Sequence, residues 1–196
     1  MAEKSLPLCE YLDNYKVLPY DKTPSLLIEE IDIKSFLSAS RFNKYKSLKL
    51  LTNALINAGF VGQFSLNIDK SLKPKAYMKD CGQAFLSIGL IFTRSYYSLL
   101  STYLHELAHI WMSQQANYFQ LKELQKEFCI RFSASEFCEI LSPIEVYADA
   151  ITLKFLDEIF TAVNSSKGKN KILKLINVRK EKLRFVYNEI EKLLNV

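Results

Sequence analysis

Residues 103–111 read YLHELAHIW, and both the fold and the chemistry of the chain turn on that stretch. His105 and His109 are four apart, so on a helix they share one face and both imidazoles can reach one ion. They are the only 2 histidines among 196 residues. Zn²⁺ accepts imidazole nitrogens, and a catalytic zinc takes three protein ligands. Glu106 is turned about 100° from His105 on the helix. That sets it beside an ion instead of on it, the place of a general base. Leu99, Leu100, Leu104, Leu107, Ala108, Ile110 and Trp111 make the helix apolar on nearly every side. Such a helix is buried, and burying two imidazoles and a carboxylate without partners is costly. Ser98, Ser101 and Thr102 precede the histidines on their face, and small polar side chains there leave room for a cleft. The competing reading is structural: two core histidines satisfied by backbone carbonyls.

With no third histidine, the third ligand is expected to be a carboxylate. Glu123, Glu127, Glu136, Glu139, Glu145, Asp149, Asp157 and Glu158 lie downstream. The stretch LSPIEVYADAITLKF (141–155) holds the best of them, Glu145 and Asp149, one helical turn apart. Ser142, Pro143, Ile144 and Glu145 also spell a capping box with proline at the first helical position, in which Glu145 would only cap its own helix. The helical wheel decides between the two. With Glu145 at zero, Asp149 lies at about 40°, Thr152 at about −20° and Leu156 at about 20°, whereas Lys154 falls at about 180°. Glu145 and Asp149 therefore point inward, where carboxylates need a cation or strong donors. The expected arrangement is Glu145 on the metal and Asp149 accepting from a ligand imidazole, with Glu139 the second choice for the ligand.

Working outward, the remainder of the chain reads as one helix-rich domain. The apolar fraction is 49%, with 5 Gly and 5 Pro, enough for a core and poor in breakers. The net charge is +5 with pI near 8.9, and nine Lys/Arg against three Glu in residues 167–196 leave the rest close to neutral. A nucleic-acid surface would need a denser basic stripe on the body, so no direct nucleic-acid ligand is expected. The 4 cysteines, Cys9, Cys81, Cys129 and Cys138, form no CxxC pair, which fits reduced thiols in a cytoplasmic protein. Residues 1–16 show no apolar leader pattern and no run approaches membrane length, so a soluble intracellular protein is expected.

Residues 1–40 read as an irregular N-terminal arm with a short helix near Ile28–Leu37. A helix is expected over Arg41–Ala58, stopped by Gly59. Strands are expected at Gln63–Ile68, Lys75–Met78 and Ala84–Phe92. Helices follow at Tyr96–Gln115, Phe119–Phe132, Pro143–Phe160 and Lys171–Leu194, with SSKGK (165–169) as a linker. The last helix has a near-heptad apolar seam broken by Arg179.

HELAH (105–109) followed by ExxAD (145–149) resembles the gluzincin branch of zinc metallopeptidases. The closest likeness is to small intracellular peptidases of the ImmA/IrrE type and to the C-terminal domains of ArdC-like antirestriction proteins, carried by Tyr97, HELAH, Glu145, Ala148, Leu153 and Phe155. It covers roughly residues 60–160. SprT-like proteases use a third histidine, which this chain lacks. The large zinc aminopeptidases place their glutamate where this chain has Phe128.

The resemblance implies an α+β, zincin-like fold: a small, mostly antiparallel sheet on the HExxH helix, followed by helices. It implies a metallopeptidase domain at 41–162, with 168–196 as a basic helix packed on it. One zinc per chain would be held by His105, His109 and Glu145, with Asp149 behind His105. Glu106 would be the base on a water activated by the metal. The substrate would be a protein or peptide, such as a partner repressor, in a bacterial host or mobile element. Ala84–Phe92 would be the strand to which an extended substrate adds. An oxyanion donor would have to be a tyrosine or arginine, with Tyr147 and Tyr118 as the choices. The alternative function is a catalytically silent binding or regulatory module with structural zinc, and a protease exported without a signal is a third.

Overall fold

A computed structural model describes residues 43–79, 82–115, 118–132 and 142–194. The expected arm at 1–40 lies outside the described residues. The described part is α+β, with six helices and a three-stranded sheet.

Helix α1 (Lys44–Asn57) buries Leu48, Leu51 and Leu55 at the spacing of one helical face. It ends as its sequence predicts, at Gly59 with φ 71°. Gly59 N–H donates to Ile56 O at 3.0 Å and Phe60 N–H to Leu55 O at 3.0 Å, the paired bonds of a Schellman stop.

Strands β1 (Ser65–Asp69), β2 (Ala76–Lys79) and β3 (Gln83–Ser87) follow, in the order β1-β3-β2. β3 runs parallel to β1 and antiparallel to β2, so the sheet is mixed, not mostly antiparallel as expected. Leu66 of β1 and Ala84 and Leu86 of β3 are buried in the core. On the other face Tyr77 stacks on its cross-strand partner Phe85 at 5.0 Å.

The strand expected over Ala84–Phe92 stops at Ser87 and turns into a short helix, α2 (Ile88–Thr93). Ser87 ends the strand because its hydroxyl accepts from Leu90 N–H at 3.1 Å, as an N-cap, and from Lys75 N–H at 2.9 Å. The turn is possible because residue 89 is glycine: a Cβ there would lie 1.9 Å from the Leu72 carbonyl oxygen.

Helix α3 (Tyr96–Ser113), capped by Ser95, carries the histidine motif through the middle of the core. Leu99, Tyr103, Leu104, Leu107, Ala108 and Ile110 are fully buried on it; each large apolar side chain contributes roughly 1.5–3 kcal/mol. Helix α4 (Tyr118–Phe132) leads to α5 (Pro143–Ala162), which packs along α3, and α6 (Ser166–Leu194) packs along α5. α6 begins inside the stretch expected to be a linker, which shrinks to residues 163–165. Among the described residues, no helix is long and apolar enough to cross a membrane.

Candidate metal centre

α3 and α5 pack so that His105, His109 and Glu145 converge, their ligand atoms all within 4.8 Å of one another. His105 Nε2 and His109 Nε2 are 3.2 Å apart. Glu145 Oε2 lies 3.1 Å from His105 Nε2, and Glu145 Oε1 lies 3.3 Å from His109 Nε2. A tetrahedral ion with bonds of roughly 2.0–2.1 Å separates its ligand atoms by roughly 3.3 Å. The three edges match that figure, although the carboxylate turns a different oxygen to each ring. Two neutral nitrogens and a carboxylate are also a donor set that zinc favours. The side chains thus fit the ion.

Glu145 does not act as a capping residue. Ser142 is the N-cap of α5 by backbone conformation but makes no side-chain cap bond, and Glu145 reaches to the histidines instead. Its side chain is 37% exposed, so it is the open edge of the site and not wholly inward as the wheel implied. Asp149, one turn on, is 2% exposed. Its Oδ1 stands 3.1 Å from His105 Nδ1, the position expected for a carboxylate that orients a ligand imidazole. The second-choice ligand Glu139 lies outside the described residues.

Electrostatics follow from this packing. Burial disfavours charge on His105, but hydrogen bonds with Asp149 and Glu145 outweigh it and raise the imidazole to about 9. Burial would lift the Glu145 carboxyl, yet hydrogen bonds from both histidines hold it well below the usual carboxylate range. Burial likewise acts against ionised Asp149, which the His105 hydrogen bond and the Arg179 charge bring down to about 2. In the metal-free protein a proton on His105 balances these carboxylates, and a divalent ion would take its place. Glu106 is 6% exposed, and burial raises its carboxyl against the pull of the two histidines.

Two further residues belong to the centre, and neither was expected there. Arg179 of α6 donates from Nη1 to Asp149 Oδ1, and Lys182 Nζ lies 2.5 Å from Asp149 Oδ2. Arg179 also donates from Nη2 to the Ser101 carbonyl at 3.2 Å. The space beside Ser101, read from sequence as part of a cleft, is where this side chain enters. The available signal was the arginine itself, standing where the seam of α6 called for an apolar residue. Tyr147 is buried in the core, where burial and the neighbouring Tyr187 of α6 raise its phenol to about 12. Tyr118 is the first residue of α4, with the Lys122 ammonium over its ring.

Comparison with known proteins finds no matching family model, no matching curated protein and no matching solved structure.

Proposed function

We propose that the protein is a zinc-dependent peptidase of the HExxH type, with His105, His109 and Glu145 holding one ion. The observation that carries this reading is the triangle of ligand atoms, with edges of 3.1, 3.2 and 3.3 Å, that α3 and α5 assemble from residues 40 positions apart. When bound there, zinc would supply Lewis acidity toward a carbonyl and a water. Glu106 is the proton carrier: it takes a proton from the attacking water and returns it to the leaving amine. A carboxyl raised by burial is a stronger base for that step than an exposed one. Asp149 keeps the proton of His105 on Nδ1, so Nε2 is free to bind.

A protein or peptide substrate in extended form suits the site. β3, the strand expected to receive it, is paired on both sides, so the role passes to β2, whose outer edge pairs with no other strand among the described residues. β2 also lies against α3, the helix that carries the motif. The likeness of HELAH and ExxAD to gluzincins supports the same reading, and endopeptidase action accords with a strand edge that accepts chain on both sides of the bond.

The test is metal content by elemental analysis, followed by hydrolysis of unfolded protein substrates. About one zinc per wild-type chain, lost in His109→Ala and Glu145→Ala, together with cleavage abolished in Glu106→Gln, is the expected result. Absence of zinc after reconstitution would sink the proposal. Zinc without cleavage would leave a binding module with structural metal.

A further inference from the structure

α6 carries a seam of buried apolar residues, Ile172, Ile176, Leu183, Val186 and Ile190. Their alternating spacing calls for one more apolar residue between Ile176 and Leu183, at position 179, and the chain places arginine there. A buried charge at a seam position gives less stability than a well-packed leucine, so a reason for it must be sought.

The side chain spans the three helices of the site. Nη1 donates to Asp149 Oδ1 on α5. Nη2 donates to the carbonyl of Ser101 on α3 at 3.2 Å, and Nε reaches Ser101 Oγ at 3.4 Å. Ser101 lies one turn before His105 on the same helix face. Arg179 Nη1 and His105 Nδ1 are 3.5 Å apart because both donate to the same oxygen of Asp149.

We propose that Arg179 is a positioning residue of the metal centre. It locks the Asp149 carboxylate against Ser101, so that His105 keeps Nδ1 protonated and Nε2 turned toward the ion. Docking of α6 is then part of metal binding. This rests on the metal-site reading above. A carboxylate held by one donor can rotate; one held by a guanidinium and an ammonium, on separate oxygens, cannot. Because linkage is reciprocal, an ion that needs the locked arrangement also tightens the seat of α6.

The clean variant keeps the charge, since a cation near the site also repels the metal and its removal would mask the effect. Arg179→Lys does this, while a single ammonium cannot hold Ser101 and Asp149 together as the planar fork does. The readouts are zinc affinity, by competition with a chelator, and the imidazole nitrogen–proton spectrum, which is simple in a chain with 2 histidines. The expected result is zinc binding weakened about tenfold, the lower end for loss of an outer partner. The His105 Nδ1–H signal broadens and the His109 signal stays. In an Asp149→Asn background, Arg179→Lys should cost nothing further.

Wild-type affinity and an unchanged His105 signal in folded Arg179→Lys would overturn the proposal, as would equal weakening in the Asp149→Asn background. Should Arg179→Lys not fold, Ser101→Ala removes only the hydroxyl acceptor and should give a smaller loss of the same sign. No change in that variant would then overturn it. A wild-type chain that binds no zinc would instead bring down the metal-site reading itself, and this proposal with it.

Discussion

On the proposed reading, a proton and a metal ion would compete for one position at His105. The folded, metal-free imidazole is raised to about 9 from its ordinary 6.5. Its contribution to metal-free stability is therefore complete below about pH 6.5 and lost as pH rises through about 9. Zinc binding must expel that proton, so the metal's contribution grows with pH over the same window. The gap in Tm between zinc-loaded and metal-free protein should widen from pH 6.5 to 9 in thermal melts at fixed free zinc. A gap independent of pH would refute this account of His105. Glu106 makes the opposite kind of prediction, since it is no ligand. Glu106→Gln should keep zinc at wild-type content while kcat falls by about 10²–10⁴, measured on one batch of protein by elemental analysis and a cleavage assay.

At the scale of elements, two joints carry sharp expectations. The first is the turn from β3 into α2, where Gly89 lies under the Leu72 carbonyl. Gly89→Ala forces the Leu72 backbone to move, and the cost should be about 1–3 kcal/mol, as for other overpacked positions, read from urea unfolding. The second is the contact of α5 with α6. Arg179→Leu alone leaves Asp149 buried with one cation fewer. Its cost should fall below the roughly 3–5 kcal/mol typical of a broken buried pair, because Lys182 remains on Oδ2. Adding Asp149→Leu removes the stranded charge and should restore metal-free stability to about the wild-type level. A double variant no more stable than Arg179→Leu would show that the ion pair itself, and not its satisfaction, holds α6 in place.

For the whole molecule, the proposed metal is expected to be separable from the fold. The core joins α1, the sheet, α3, α5 and α6 through apolar contacts, none of which needs an ion. Chelation should therefore lower Tm without unfolding the chain. At a free zinc concentration about 100 times Kd the metal adds about 2.7 kcal/mol. For a chain of this size that is about 5–10 °C in Tm. Loss of helical circular dichroism at 25 °C on chelation would contradict this and make zinc a structural staple.

The sequence alone determined the parts whose cause is local. The two histidines of HELAH on one helix face, the stop at Gly59 and Pro143 opening α5 follow from spacing and backbone chemistry within a few residues, and the structure keeps them. The pairing of His105 with Glu145 was legible because two imidazoles on an apolar helix call for a carboxylate partner, although the wheel placed Glu145 further inward than its 37% exposed side chain lies. Tertiary structure decided the rest. Whether Ser87 continued a strand or capped a helix depended on Lys75 and Leu72, neighbours brought by the sheet. β3 became the central strand through pairings on both sides, which periodicity does not encode. Arg179 could be seen to break a seam, but its target lay 30 residues upstream on another helix. A long side chain's partner is set by how helices pack, and that packing is the sum of many weak contacts across the chain.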